Sequence, residues 1–279
     1  MSRTDLFNAA VLVACACTTA ASADFAGNYS NDFSADSGNH HGQSQWTDFD
    51  GNGDLWLVKD GQGGHGTWET GGAGFTGKSI TRFSASFDFS FNTNNNGGLG
   101  DGFSFLFGDM SNMGGDRWVG GEGGLNAFTQ NGQGMSIGFD TYGGDSVKAR
   151  WGGQMISESI AFGTEWWDYA REESAGAALD DANQGNIIVN WDINLGLQVL
   201  IDWGDDPIDG YFEAISTNFF TWPDGYDMTN WSFGFAGRNG GIDNDIFIDN
   251  LNIDYEYIPA PGAFALLGLA GLAARRRRG

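Results

Sequence analysis

Residues 79–91 read Ser79-Ile80-Thr81-Arg82-Phe83-Ser84-Ala85-Ser86-Phe87-Asp88-Phe89-Ser90-Phe91. Phe83, Ala85, Phe87, Phe89 and Phe91 fall on one side of a period of two, with Ser84, Ser86, Asp88 and Ser90 on the other. That is the signature of a β-strand with one face in a core and one face in water. The same alternation recurs at Phe103, Phe105 and Phe107, and at Met135, Ile137 and Phe139. It continues at Ile187, Val189, Trp191 and Ile193, then at Leu197, Val199, Ile201 and Trp203. Trp231, Phe233 and Phe235 repeat it, and Phe247, Leu251, Ile253 and Tyr255 form the last such set.

Turn-forming clusters rich in Gly, Asn and Asp separate these runs at 92–101, 114–126 and 237–244. Only 165–179 could hold a helical turn or two. Many short strands with one apolar face predict an all-β domain, a β-sandwich or jelly roll of two packed antiparallel sheets. The expected core includes Phe83, Phe87, Phe89, Phe105, Ile137, Phe139, Val189, Trp191, Phe233 and Phe235. Residues 24–78 read as richer in loops, with short apolar pieces such as Leu55-Trp56-Leu57-Val58.

The two ends read differently from the body. Arg3, an apolar run over 6–16 and Ala21-Ser22-Ala23 form the ordered parts of a secretory signal peptide, so residues 1–23 are expected to be removed. Leu12-Val13-Ala14-Cys15 also fits a bacterial lipobox, which would make Cys15 a lipidated first residue; the Ala-x-Ala site is the preferred reading. At the other end stand Pro259-Ala260-Pro261, an apolar stretch over 262–274 and Arg275 to Arg278. Residues 259–279 resemble the PEP-CTERM class of bacterial sorting signals, with Pro-Ala-Pro where the class carries a glutamate. The resemblance implies export to the cell surface or extracellular matrix of a bacterium, with membrane contact only through this segment. A plain membrane tail is the alternative, although about 13 apolar residues would span poorly.

Between the ends, residues 24–258 suit one domain. Cys15 and Cys17 both precede it, so the body has no disulfide and no thiolate chemistry. Burial alone must hold the core, and 22 Phe with 11 Trp in the chain provide the area. Asp5 leaves with one end, and Arg3 and Arg275 to Arg278 leave with the two ends. From 36 acids and 13 bases this leaves 35 acids against eight bases, a net charge of −27. Nucleic acid and anionic membrane are excluded as partners of the body by repulsion.

The segment from Asp101 to Asp145 carries the functional reading. It contains Asp101-Gly102-Phe103-Ser104-Phe105-Leu106-Phe107-Gly108-Asp109. Gly120-Gly121-Glu122-Gly123-Gly124-Leu125 follows, and then Met135-Ser136-Ile137-Gly138-Phe139-Asp140-Thr141-Tyr142-Gly143-Gly144-Asp145. This order resembles the L-type, legume-like lectins of the concanavalin A-like superfamily: an Asp-Gly strand start, a glycine loop, and a strand ending in Phe-Asp-Thr with its metal loop. The resemblance implies a concanavalin A-like jelly roll that binds a glycan or polysaccharide. By it, Asp101 accepts sugar hydroxyls and Gly123 or Gly124 offers a backbone N–H. A residue of the 141–145 loop, Gly144 among them, completes the pocket, with Tyr142 or Trp118 as the aromatic plate. The loop 237–241, with Asn239, lies where the family varies its specificity. The chemistry fits these residue types: a carboxylate can accept from two vicinal hydroxyls, and a glycine lets backbone approach the ring. An Asp-Gly pair is also an ordinary turn.

The family's metal ligands are a glutamate and an aspartate on one strand, loop residues and a histidine. Here Gly138 stands at the glutamate position and Asp140 remains. Gly144 and Asp145 follow where the loop asparagine is expected, and no histidine occurs in 147–151. A transition-metal site is not expected, and what remains is a lone calcium on Asp140, Asp145 and backbone carbonyls. A second acidic cluster, Asp48-Phe49-Asp50-Gly51-Asn52-Gly53-Asp54, echoes half a calcium loop but reaches Lys59 where the closing acid belongs, and reads as a solvated loop. Asp243, Asp245 and Asp249 read the same way. Glycoside hydrolases share this sandwich, but the laminarinase-type Glu-x-Asp-x-x-Glu spacing is missing, and His40, His41 and His65 lie far from the motif segment in sequence. A binding module is therefore expected rather than an enzyme. The alternative is a structural envelope or matrix protein that keeps the sandwich without a working site.

Overall fold

The computed structural model describes residues 25–259, apart from 49–52, 60–62, 72–74, 93–98, 113–127, 129–133, 143–145, 160–170, 173–184, 205–209, 218–227 and 242–243. The expected signal peptide, and the sorting segment beyond Pro259, lie outside the described residues.

The alternating runs form strands. In chain order these are β1 (Phe25–Asn31), β2 (Asn39–Gly42), β3 (Gln45–Thr47), β4 (Asp54–Val58), β5 (His65–Glu69) and β6 (Lys78–Asn92). Next come β7 (Gly102–Gly108), β8 (Gly134–Asp140), β9 (Ser146–Trp151), β10 (Gln154–Glu158) and β11 (Arg171–Glu172). β12 (Gly185–Asp192), β13 (Gly196–Asp202), β14 (Phe212–Thr217), β15 (Ser232–Arg238) and β16 (Asp245–Pro259) complete the set among the described residues. A nine-stranded sheet runs β14-β13-β12-β6-β16-β4-β3, with β1 also on β16 and β11 also on β6. A seven-stranded sheet runs β10-β9-β8-β7-β15-β5-β2. All pairings are antiparallel except the short β11–β6 contact.

The phenylalanine strand β6 sits in the middle of the larger sheet because its apolar face has partners on both sides. Phe83 lies opposite Trp191 and Phe87 opposite Ile187. Across the sandwich, the Phe87 ring stacks on Phe105 at 5.7 Å and meets Phe235 edge-on at 4.8 Å. All ten expected core residues are buried. The two inner faces therefore close as an aromatic layer, which accounts for a cysteine-free core.

Three expectations need correction. Phe247 does not share a face with Leu251, Ile253 and Tyr255. A bulge between Asp249 and Asn252, with Asn250 at φ 51°, inserts an extra residue and reverses the phase. Ile246 and Ile248 point inward before the bulge, while Phe247 stacks on Trp56 on the other face. The N-terminal region is not loop-rich, since it supplies β1 to β5 and so places His40, His41 and His65 in strands. The helical turn expected over 165–179 lies mostly outside the described residues, and its described part, Arg171–Glu172, is strand.

Candidate functional site

β7 begins, and β8 and β15 end, at one end of the seven-stranded sheet. Gly102 is the junction: it pairs with Asp140 on β8 and with Arg238 on β15. Its φ is +106°, and a Cβ there would run into the Phe139 carbonyl oxygen, so this position requires glycine. The Asp-Gly turn and the site motif are thus one feature. The turn delivers Asp101 beside Arg238, whose Nε lies 3.2 Å from Asp101 Oδ2. The Asp101 side chain is only 10% exposed.

Gly240 lies against that carboxylate so closely that a Cβ on it would collide with the carboxylate oxygens. A glycine in the 237–241 loop is therefore what lets backbone approach Asp101. Burial pushes the Asp101 carboxyl above its ordinary range. The Arg238 guanidinium opposes the rise, and the negative charge of Asp140 adds to it.

Asp140 is 1% exposed and both of its oxygens are engaged. The Tyr142 N–H donates to Oδ1 at 3.2 Å, and the Lys148 ammonium donates to Oδ2 at 2.7 Å. Lys148 also stands 3.7 Å from Glu158 on β10. The Thr141 hydroxyl donates to the Gly100 carbonyl, tying the end of β8 to the approach to Asp101. Tyr142 itself is 47% exposed, so its ring is open to solvent at this end of the sheet.

Asn239 is fully buried. Its amide nitrogen donates to the carbonyls of Lys59 at 3.1 Å and Asn244 at 2.7 Å, and its side-chain oxygen accepts from the Asn244 N–H at 3.3 Å. Asn244 in turn accepts from the Gly100 N–H at 2.6 Å. The two asparagines are tied to each other and, through Asn244, to the approach to Asp101, and the Asn239 amide is spent on that tie. The structure thus brings Asp101, Asp140, Tyr142 and the 239–240 backbone to one end. Gly123, Gly124, Gly144, Asp145 and Trp118 lie outside the described residues.

Sequence reasoning missed the roles of Arg238 and Lys148. The scarcity of bases, eight in the body, drew attention to neither, because each meets its aspartate only through strand register. A calcium ion needs six to eight oxygen ligands. Asp140 offers both of its oxygens to N–H donors, and among the described residues no three His, Cys, Asp or Glu side chains come together. The described donor set does not fit calcium.

The remaining acids have structural work. Asp54 is not a solvated loop residue: it is buried at the start of β4, where it pairs with Thr47 on β3, and 49–52 lie outside the described residues. Asp245 accepts from the Trp56 indole at 3.0 Å, and Asp249 accepts from Asn250 at the bulge. Asp243 lies outside the described residues. A groove of about 570 Å³ crosses the outer face of the nine-stranded sheet and does not touch Asp101. Its polar lining includes the pairs Arg82 with Glu256 and Asn190 with Gln198.

Among the described residues the strands form two antiparallel sheets and close no barrel, which makes the fold a legume-lectin-like, concanavalin A-like β-sandwich. The structure is similar to peanut lectin solved with a nine-residue peptide, at 15% identity and TM-score 0.55, covering 85% of this chain and 100% of that one. It is also similar to lectin UEA-II complexed with galactose, at 14% identity and TM-score 0.53, covering 82% and 98%. A third neighbour is the exoplasmic/lumenal domain of VIP36 in a Ca2+/Man3GlcNAc-bound form, at 14% identity and TM-score 0.52, covering 77% and 82%. No protein-family model matches the chain, and no curated protein matches it in sequence.

Proposed function

We propose that this chain is an exported, cell-surface-sorted lectin-like domain that binds neutral glycans without catalysing a reaction on them. The observation that carries the reading is the Asp101 carboxylate, held at a three-strand junction against the bare backbone of Gly240 and beside Arg238. A carboxylate in that setting accepts from vicinal hydroxyls, the guanidinium donates to a hydroxyl or ring oxygen, and the exposed Tyr142 ring offers a plate for the sugar's C–H face. The VIP36 and UEA-II structures, whose names carry a mannose oligosaccharide and galactose, support the same class of ligand. Export rests on the two end signatures. The intact mass of the protein from its native host is expected to correspond to a start at Asp24 and an end near Tyr257; a lipid on Cys15 overturns the first half.

A glycan array, followed by titration of a positive glycan, tests the binding. Asp101→Asn is expected to weaken affinity ten- to hundred-fold, since a hydrogen bond to a charged group contributes about 1.5–3 kcal/mol. Equal affinities for the two proteins place the site elsewhere. One observation favours a second reading, a structural envelope protein: Asp101 and Asp140 each already have a basic partner within the fold. An array with no binder supports that reading.

A further inference from the structure

We propose that the Lys148 ammonium is the resident cation of the Asp140 loop, and that it takes the place of the calcium ion which the sequence resemblance assigns to Asp140. The strand register shows how it gets there. Lys148 on β9 lies directly opposite Gly138 on β8, and opposite residues of an antiparallel pair project to the same face. Asp140, two residues beyond Gly138, shares that face. Gly138 stands where the resemblance expects a glutamate, so that position supplies no second carboxylate beside Asp140.

The contact is close and sheltered. Nζ lies 2.7 Å from Oδ2, with the lysine side chain 16% exposed and the aspartate 1%. Glu158 on β10 stands 3.7 Å from the same ammonium, so one lysine joins three consecutive strands. A buried carboxylate is stable only with a counter-charge, and here the chain supplies it covalently. A divalent ion on the same oxygen would face a fixed positive charge at contact range, with Asp140's other oxygen held by the Tyr142 N–H. Lys148 is therefore a positioning residue. It holds the end of β8, and with it the Thr141–Tyr142 corner, independently of any metal.

The inference concerns the same end of the sandwich as the proposed sugar site. It is tested by melting and metal uptake without a sugar, so absence of glycan binding leaves its outcome unaffected. Thermal unfolding of the protein is followed in EDTA, in calcium, and in sodium at matched ionic strength, with terbium luminescence as a second probe of calcium-type sites. Wild type is expected to melt at the same temperature in all three solutions and to show no terbium site that depends on Asp140. Lys148→Met is expected to lower Tm by about 10 °C, the scale for stripping one partner from a buried ion pair in a domain of this size. Lys148→Arg is expected to keep most of that stability. Should Lys148→Met fail to fold, the Asp140→Asn/Lys148→Met double variant provides the readout, and it is expected to recover part of the loss because no charge is left unpaired. A calcium-specific rise in wild-type Tm that Asp140→Asn abolishes overturns the proposal. So does a Lys148→Met protein that melts with wild type.

Discussion

The outer faces of the two sheets follow different rules. On the nine-stranded sheet, β12 alternates buried and half-buried residues along its whole length, and its outward side chains meet polar neighbours. Asn186 donates to Asp88, and Asn190 donates to Gln198 at 3.1 Å. On the seven-stranded sheet, every residue of β7 and β8 is buried, so both faces are covered. There Leu106 and Ala236 point away from the main core and join Met110 and Phe128 in a small second cluster. Around β12 and β13 the nine-stranded sheet has water on its far side. The seven-stranded sheet is covered on both faces along its central strands β7, β8 and β15, and at their end the fold buries Asp101, Asp140, Thr141, Asn239 and Asn244. Buried charge requires a partner, and the two basic residues that meet Asp101 and Asp140 lie on this second sheet.

Graded truncation sharpens this contrast. Phe87→Ala, in the aromatic layer between the sheets, is expected to cost about 3–5 kcal/mol in urea unfolding. Leu106→Ala, on the outer face of the covered sheet, should cost about 2–4 kcal/mol, because it is fully buried among Met110, Phe128 and Ala236. Ile188→Ala, on the half-buried outer face of the nine-stranded sheet, should cost about 1 kcal/mol. Equal losses at Leu106 and Ile188 break the distinction between the two faces.

The same contrast explains what could be read from the sequence. A strand exposed on one side has a period of two, so β6, β12 and β13 declare themselves, and all ten core assignments hold. Covered strands still showed their phenylalanines at 103, 105 and 107, but a run buried on both faces does not reveal what lies over it. The bulge at Asn250 was invisible because its cause is a single backbone angle, and it moved Phe247 to the opposite face. β2 and β3 were missed because four and three residues are too few to display a period. Motif order singled out Asp101 and Asp140, and the structure brings both to one end of the seven-stranded sheet. Their partners Arg238 and Lys148 could not be assigned, since those contacts exist only once β15 and β9 are in register. Asn239 stands in a Gly- and Asn-rich stretch that reads as open loop, and only its bonds to the Lys59 and Asn244 carbonyls show that its amide faces inward.

The smallest effect expected is the most specific to the covered end. Asp101 has a folded-state pKa above its ordinary value, chiefly from burial. For a carboxyl shifted upward, the sign is opposite to that of an exposed ion pair. Its contribution to stability is full below the ordinary carboxylate pKa and is lost as pH rises through the raised value. Sugar binding has the reverse dependence, because only the ionised carboxylate accepts from two hydroxyls. Affinity for an array-positive glycan should therefore begin to fall on acidification while ordinary surface carboxylates are still charged. Asp101→Asn removes the titrating group, so its residual affinity should be flat over the same window. The two proteins should also diverge in stability: relative to wild type, the asparagine variant gains as pH rises from acid toward neutral. Taking the difference between them cancels the large common effect of neutralising the other acids. Parallel stability and affinity profiles for the two proteins would mean that Asp101 is not a strained carboxylate, and that the covered end of the sheet holds its charges as comfortably as the open face does.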